Sequence, residues 1–571
     1  MTHKPTSVSS LLALGGLLLT LPWHVSAQDP VRLSLTHPWQ GHVEMNQVRH
    51  LEVELQAGEF VRAMVEMDGD RDQVMGFQIG LLAPGDSLSR PLSSMESLEW
   101  QHPGPPRRRI SWEATRDGSY ILVLDGFYVW SRTVSSVPAR VWIESVEPPA
   151  QVRERRKALA QDPRVAWLRE NAMPVRTLSP EDLDFRDLEP LREALEGVRL
   201  VLLGEADHAS GTDFLARSRL VKFLHQELGF DVLAFEAGLY GMTLAWDSIL
   251  AGVPPRNAFR LGNWAFWSST EQMQSLMAYV GEQALGERPL EVTGFGYRPH
   301  LYPSIRDTAP LFAEELSRFL RDQGLPGPLA DPETPEYGVL ERLAAQAPRY
   351  PPDMAAITTF LADSATAEAF FQAVDETVAA LQATPGDDAR FWAQALRGAG
   401  CAARTDGGLG DRREPECSRN YQMGERLLWL ANERYPDRKI IAWAANSHVM
   451  REPAPYDYGW TGPRMGKVVW DALGQESFAI AMTSYGGGES YAGGIVPDQH
   501  PLPEFEELMH AAGYEFAMVD LRRAAEEGTW AGGPFLARPD GHLTQERTWS
   551  QYLDALFFVR EQEGPRRIQD P

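Results

Sequence analysis

Glu205, Asp207 and His208 lie close together, directly after a short apolar run at residues 200–203. A histidine titrates near neutral pH and can take a proton from water, and a carboxylate beside it can orient the ring. In open α/β sheets, catalytic groups collect outside the carboxyl ends of the strands, where these residues would lie. The pattern indicates a general base, although Glu-x-x-His taken alone is more often a polar turn with a surface histidine.

The helix predicted next carries a cation on its apolar face. Arg217 lies three residues after Phe214, inside a stripe of apolar residues spaced by three and four. A guanidinium on the core-facing side costs free energy unless a carboxylate pairs with it. Glu205 is one natural partner, and Glu236, which follows a second apolar run at 232–235, is another. The group is either a structural ion pair or part of a catalytic site.

A third apolar run, residues 440–444, leads into Asn446 and His448. Two histidines, two glutamates and one arginine therefore lie at or just after three predicted strand ends. The sequence contains no Gly-x-Ser-x-Gly elbow, no His-Glu-x-x-His, no phosphate loop and no Gly-x-Gly-x-x-Gly after a strand. If the chain is a hydrolase, water is the expected nucleophile.

These groups require a sheet to position them, and residues 166–571 are predicted to supply one. Five apolar runs of strand length alternate there with helical stretches, which is typical of an α/β domain with a largely parallel sheet. The runs are residues 200–203, 232–235, 290–295, 440–444 and 478–482. Residues from about 305 to 430 have helical periodicity without strand signals, which predicts a helical insertion or cap.

A small all-β sandwich is predicted before this domain, over residues 28–147. Short runs with alternating apolar residues, such as Leu51, Val53 and Leu55, are separated by turn signals. Residues 148–165, which begin with two prolines, are interpreted as a linker that enters a short helix.

Residues 1–27 have the pattern of a cleaved secretory signal. Lys4 is followed by an apolar run too short for the roughly 20 residues of a membrane span, and Val25-Ser26-Ala27 fits a cleavage site. We therefore expect a periplasmic or secreted protein. In that compartment the two cysteines, Cys401 and Cys417, are predicted to form a disulfide.

The composition limits the partners of the chain. Its 571 residues include 54 Lys and Arg against 79 Asp and Glu, a formal net charge of −25. Such a charge disfavours binding to nucleic acid or to an anionic membrane surface. We expect a small-molecule substrate and no cofactor, and the oligomeric state is left open.

The spacing of the polar groups resembles the erythromycin esterase family. The matching motifs are Gly204-Glu205-x-x-His208, Arg217, Phe235-Glu236 and Trp443-Ala-x-Asn446-x-His448. The resemblance implies a hydrolase that cleaves an ester or lactone without a serine nucleophile, and the predicted signal indicates that it is exported. It implies that His208 activates water and that Glu205 and Glu236 are essential. It also implies that Arg217 positions these carboxylates or balances their charge, and that His448 assists at the carbonyl oxygen or leaving group. A role in antibiotic resistance is one of the functions that the resemblance allows.

Three positions depart from the family pattern. Ala445 stands where the family usually has histidine, Gly296 stands where an aspartate is common, and Asn420 replaces the aspartate of an Arg-Asp helix that begins near Arg419. These changes remove polar groups from the predicted site, although the first two strand ends retain theirs.

The residues alone are also compatible with two other functions. Glu205, Glu236 and the two histidines could be ligands of a metal-dependent hydrolase, or the site could bind a ligand without catalysis. Substrate contacts are expected from Asn446, Trp264 and His300. His225 falls off the apolar stripe of its helix and is predicted at the surface.

Overall fold

The computed structural model describes residues 30–44, 48–67, 78–85, 107–125, 136–206, 208, 210–299, 311–345, 364–406, 415–451, 462–487, 496–497, 503–540 and 544–568. The predicted signal at 1–27, and also Asp207 and His300, lie outside the described residues. No helix among the described residues is both long and apolar enough to cross a bilayer.

The N-terminal part is built from short strands whose alternating residues enclose one apolar core. The strands are β1 (Val31–Arg32), β2 (Trp39–Glu44), β3 (Val48–Leu55), β4 (Phe60–Met67), β5 (Gln78–Leu82), β6 (Arg107–Glu113), β7 (Gly118–Asp125) and β8 (Ser136–Glu147). One sheet has the order β1-β3-β7-β5, and the second contains β6-β4-β8-β2. The predicted β-sandwich is confirmed.

The strands of the α/β part follow this sandwich in the chain. They are β9 (Met173–Pro174), β10 (Leu200–Leu203), β11 (Phe230–Gly238), β12 (Glu291–Gly296), β13 (Lys439–Trp443), β14 (Ser477–Gly487), β15 (Val496–Pro497), β16 (Phe516–Asp520), β17 (Pro534–Ala537), β18 (Gln545–Thr548) and β19 (Ala555–Gln562). The main sheet has the order β12-β11-β13-β10-β14-β19-β16-β9 in the described part of the chain. The run from β12 to β19 is parallel and β16 is antiparallel to both of its neighbours. The predicted largely parallel sheet is therefore confirmed.

Helices cover both faces of this sheet and form two apolar layers against it. They are α1 (Pro149–Leu159), α2 (Pro163–Asn171), α3 (Leu191–Ala194), α4 (Gly211–Leu228), α5 (Leu239–Leu250), α6 (Pro255–Gly262), α7 (Ala265–Ser268), α8 (Gln274–Gln283), α9 (Leu311–Asp322), α10 (Pro335–Ala345), α11 (Ser364–Ala383), α12 (Asp387–Asp406), α13 (Arg419–Trp429), α14 (Asn446–Val449), α15 (Met465–Leu473), α16 (Phe505–Ala512) and α17 (Leu521–Glu526). Between β12 and β13 the described residues form helices α9 to α13 and no strand, as expected for a helical insertion.

The two parts of the chain share a sheet. β15, which belongs to the later part of the sequence, pairs antiparallel with β6, so that Val496 faces Ser111 and Pro497 faces Ile110. Arg155 of α1 adds an ionic link, because it contacts Glu147 of the sandwich at 3.2 Å and Glu507 of α16 at 3.5 Å.

Cys401 at the end of α12 and Cys417 just before α13 form a disulfide, as predicted. Both cysteines are buried against Tyr297, at the start of the insertion. The bond spans a sequence separation of 16 residues, for which loop-closure entropy gives a stabilisation of about 3 kcal/mol. The disulfide joins α12 to the residues just before α13, the helix that carries Arg419.

Replacing Cys401 and Cys417 together by serine is expected to lower the free energy of unfolding by about 3 kcal/mol. Thermal unfolding with and without reductant measures the effect. Reductant should lower the melting temperature of the wild-type protein toward that of the double variant and leave the double variant unchanged. Equal melting temperatures for oxidised wild type and the variant would show that the bond contributes nothing to stability.

Candidate active site

The ends of three neighbouring strands bring the predicted site residues together. β13 lies between β10 and β11, and Trp443 is level with both Leu203 and Phe235. Beyond the regular strands, the Asn446 backbone N–H donates to the Glu205 carbonyl oxygen at 2.8 Å. The carboxyl ends of parallel strands share one edge of the sheet, so Glu205, Glu236 and helix α14 surround a common region.

Asn446 joins these strand ends from the interior. Its side-chain N–H groups donate to the carbonyl oxygens of Met482 and Pro539 at 2.7 and 2.6 Å, and its side-chain oxygen accepts from the Met482 N–H at 3.1 Å. Gly204 is required beside it, since a Cβ there would lie 2.1 Å from the Asn446 oxygen. A substrate contact by Asn446 stays a prediction, and such a contact would require these internal bonds to break.

Glu205 joins the histidine to the buried arginine. One carboxylate oxygen lies 2.6 Å from Nδ1 of His208, and the other contacts the Arg217 guanidinium and accepts from the indole N–H of Trp267 at 3.3 Å. Glu205 and Arg217 are fully buried, whereas the His208 side chain is 42% exposed. The buried Arg217 guanidinium therefore balances the charge of the Glu205 carboxylate in the protein interior. The His208 imidazole, which Glu205 orients, is partly accessible to solvent.

Arg217 is held by aromatic and backbone groups as well as by the carboxylate. Its guanidinium carbon lies 3.8 Å from the ring centroid of Trp443, and one N–H group donates to the Ala444 carbonyl oxygen at 3.3 Å. This arrangement confirms that the helix presents Arg217 to the core. Burial lowers the pKa of Arg217 well below its usual range, and the charge of Glu236 offsets part of that effect.

Aromatic rings fix the orientation of His208. The ring of Phe266 stacks on the imidazole at 4.6 Å with an interplanar angle of 13°, and Trp267 meets it edge-on at 5.7 Å. Trp264 continues the stack, 5.6 Å from Phe266, and donates its indole N–H to the Glu236 carbonyl oxygen at 2.7 Å. Trp264 is partly exposed, in keeping with its predicted contact to substrate, which stays a prediction.

Glu236 forms the second charged centre. Its carboxylate is buried, contacts the Arg419 guanidinium, lies 3.2 Å from Nε2 of His448 and accepts from the Ala445 backbone N–H at 3.1 Å. Burial by itself raises the pKa of Glu236, but His448 and Arg419 outweigh it and hold that pKa well below its usual range. Glu236 is therefore an anion throughout the neutral range.

His448 connects Glu236 to the helical insertion. Its Nδ1 lies 2.7 Å from the side-chain oxygen of Asn420, the second residue of α13. Burial lowers the pKa of His448, and the facing Glu236 carboxylate offsets only part of that effect. His208 is close enough to add to the electrostatic potential at both Glu236 and His448, so the two charged centres belong to one site.

Sequence reasoning gave no functional role to Phe266, and it noted Arg419 only as part of a family motif. Electrostatics is a second signal for Arg419, because an anion buried at Glu236 requires a cation, and the insertion supplies it. The prediction for His225 was wrong. His225 is buried and its Nδ1 lies 2.6 Å from the Tyr279 hydroxyl, because α4 is enclosed on nearly all sides rather than on one stripe.

The described residues contain no group of three or more His, Cys, Asp or Glu side chains arranged to hold a metal ion. Glu205 and Glu236, the carboxylates that a metal would need, each contact a guanidinium instead. A divalent cation in the same place would meet like charge from Arg217 and Arg419, so these donors do not fit a metal site.

The profile of the erythromycin esterase family matches residues 225–561, which is more than half of the chain. The chain belongs to the erythromycin esterase family. It is accordingly a hydrolase that acts on ester bonds. The matched span contains Glu236 and His448 and begins after His208.

Relatives of the family match over most of their length. YbfO of Bacillus subtilis (strain 168) is 24% identical over 433 residues, covering 69% of this chain and 90% of YbfO. Erythromycin esterase type II of Escherichia coli is 22% identical over 333 residues, covering 56% of this chain and 77% of the relative.

Solved structures show the same fold. A Bacillus cereus protein of 17% identity matches with a TM-score of 0.58, over 72% of this chain and 99% of its own. A mutant of the erythromycin esterase EreC in its open conformation, also 17% identical, matches with a TM-score of 0.51, over 70% of this chain and 100% of its own. At these identities the likeness establishes the fold alone.

Replacing Asn420 by aspartate is expected to raise the pKa of His448, because a second carboxylate would then face the imidazole. Burial keeps the folded-state pKa of His448 below its unfolded value, so the wild type loses stability as the pH falls below about 6.5. The variant should lose less. Titration of the His448 ring protons by NMR measures the shift, and Asn257→Asp, at an exposed position, is the control. An unshifted His448 in the Asn420 variant would contradict this account of its environment.

Proposed function

We propose that the chain is an exported esterase in which His208 activates water for attack on an ester or lactone carbonyl. The observation that carries this proposal is the pairing of a partly exposed imidazole with a buried carboxylate. The Glu205 carboxylate lies 2.6 Å from Nδ1 of His208. An ionised carboxylate can only accept a hydrogen bond, so this contact favours the tautomer with its proton on Nδ1, in which Nε2 is the basic nitrogen.

In the proposed reaction, His208 Nε2 takes a proton from water as the water oxygen bonds to the carbonyl carbon. The carbonyl double bond opens to an oxyanion. When the tetrahedral intermediate collapses, the bond to the leaving oxygen breaks and His208 returns the proton to that oxygen. Glu205 stabilises the imidazolium while it carries the proton, and Arg217 keeps Glu205 ionised in the interior.

The second charged centre is suited to the oxyanion. Arg419 is the partly exposed cation of the site, with 30% of its side chain accessible, and it is held in place by Glu236. A positioned guanidinium beside a developing negative charge lowers the barrier of acyl transfer without reorganising in the reaction. His448, which is buried behind Glu236, would steady this pair and assist at the carbonyl oxygen or leaving group through it.

A hydrolysis assay with a panel of esters and lactones tests the proposal, with macrolides as one class among several. We expect turnover without a pre-steady-state burst and no acyl adduct in the mass of rapidly quenched enzyme, because water attacks directly. Accumulation of an acyl-enzyme would overturn the mechanism. Activity that is lost to a chelator and restored by a divalent metal would favour the metal-dependent alternative.

Export is part of the proposal. It is supported by the signal pattern of residues 1–27 and by the Cys401–Cys417 disulfide, since disulfides persist mainly in oxidising compartments. N-terminal sequencing of the protein from the periplasm or medium should find a mature chain that starts near Gln28. Recovery only from the cytoplasm with Met1 retained would contradict it.

If macrolides prove to be substrates, a role in antibiotic resistance follows. Expression in a sensitive host would then raise the inhibitory concentration of the drug. An unchanged inhibitory concentration despite expression of soluble protein would exclude that role.

A further inference from the structure

The last described residues, Gln562–Ile568, run beside the first turn of α4, where Asp213 contacts the loop that carries Glu205 and His208. We call them the C-terminal tail. The tail leaves β19, which lies two places from β10 in the sheet, and passes between the start of α4 and the segment around α7. α4 contacts Glu205 through Arg217, and α7 contacts the Glu205–His208 pair through Phe266 and Trp267. The tail is therefore placed to influence the geometry of this pair.

Asp213 connects the tail to the histidine loop. One carboxylate oxygen of Asp213 accepts from the Ala206 backbone N–H at 3.1 Å, and the other accepts from the side-chain N–H of Gln562. Asp213 is fully buried and Gln562 is 3% exposed. Because the Asp213 carboxylate is buried and hydrogen-bonded to both groups, a displacement of Gln562 would also displace the Ala206 backbone.

Backbone contacts fasten the tail to the first turn of α4. The Thr212 N–H donates to the Glu563 carbonyl oxygen at 3.3 Å, and the Glu563 N–H donates to the Thr212 hydroxyl at 2.8 Å. A Cβ at Gly211 would lie 2.9 Å from the Gly564 carbonyl oxygen. The two backbones therefore approach too closely for any side chain at position 211.

On its other side the tail pairs with the segment that follows α7. The Glu271 N–H donates to the Arg566 carbonyl oxygen at 2.7 Å, and the Ile568 N–H donates to the Ser269 carbonyl oxygen at 3.0 Å. This segment directly follows Trp267, which donates to Glu205. The tail thus links the aromatic support of His208 to the loop that bears it.

We propose that the C-terminal tail positions the catalytic base, with Gln562 and Asp213 as positioning residues that act through the Glu205–His208 loop. The inference rests on the proposed role of His208. Catalysis by a general base is sensitive to sub-ångström placement, and the tail contacts described above reach Asp213, Thr212 and the segment after α7. Loss of the tail contacts should therefore reduce kcat and leave KM nearly unchanged.

A donor–acceptor exchange tests this inference. Gln562→Glu sets two carboxylates against each other, and we expect kcat to fall about 10-fold or more at nearly constant KM. Combining Gln562→Glu with Asp213→Asn restores a hydrogen bond of opposite polarity and should recover most of kcat. Glu561→Ala, at the exposed neighbouring position, is the matched control. A Gln562→Glu protein with a lower melting temperature but wild-type kcat would overturn the proposal, as would a double variant that recovers stability without recovering kcat.

A double-mutant cycle with His208→Asn separates this inference from the proposed function. If the tail acts through the base, Gln562→Glu should slow a His208→Asn enzyme little further, because the two losses are not additive. A full additional loss would overturn the positioning role while leaving the base assignment intact. Wild-type kcat in His208→Asn alone would overturn the base assignment itself, and the positioning role with it.

Discussion

Replacing His208 by asparagine is expected to lower kcat for any ester that the enzyme hydrolyses by about 10²–10⁴-fold, with little change in stability. The imidazole is 42% exposed, so its loss leaves no large cavity, and asparagine cannot take a proton from water at neutral pH. The size of the loss is that of a positioned general base in acyl transfer. Steady-state rates of the folded variant, with thermal unfolding in parallel, measure it.

His42→Asn is the matched control, because His42 is an exposed histidine of the sandwich and the substitution is the same. It should retain wild-type kcat. Activity of His208→Asn within a fewfold of wild type would mean that another group accepts the proton.

Replacing Arg217 by methionine is expected to lower the free energy of unfolding by about 3–5 kcal/mol and to abolish activity. The substitution keeps much of the side-chain volume but leaves Glu205 buried without its cation, which is the costly way to break a buried ion pair. Glu205 can avoid the penalty by taking up a proton, and it would then no longer hold the imidazole as a carboxylate does. Chemical denaturation and steady-state kinetics measure the two effects.

Two further variants allow the Arg217→Met result to be interpreted. Arg192→Met removes the arginine of an exposed pair with Glu189, and it should cost no more than about 1 kcal/mol. Adding Glu205→Gln to Arg217→Met should restore part of the lost stability without restoring activity, because the unpaired buried charge is then gone. If Arg217→Met left the free energy of unfolding unchanged, the Arg217–Glu205 ion pair would not be what stabilises the buried Glu205 carboxylate.

The sheet and the residues at its strand ends were predictable because their signals are local. Apolar runs of strand length, each followed by polar residues, located Glu205, Glu236 and His448, and the position of Arg217 within an apolar stripe indicated its burial. Each of these inferences requires only the spacing of apolar residues within one strand or helix.

The contacts that complete the site were not predictable in this way. Arg419 follows Glu236 only after most of the helical insertion, and Gln562 lies far from Asp213 in the sequence. The spacing of apolar residues within one helix or strand therefore does not indicate either pairing. His225 was misplaced because one apolar stripe does not reveal how many other elements enclose a helix. The hydrogen bonds from Asn446 to the backbone of Met482 and Pro539 were likewise not predictable from local spacing, and its contact to substrate stays a prediction.

The pairing of β15 with β6 has a consequence for how the chain is made. A ribosome delivers the N-terminal sandwich first, whereas the strand that adds to the edge of its second sheet is synthesised only after most of the α/β part. Until then β6 presents its backbone N–H and C=O groups as an open edge, which can pair with another copy of the newly made chain. The second sheet of the first domain to emerge is thus completed only by a strand that is translated after most of the α/β part.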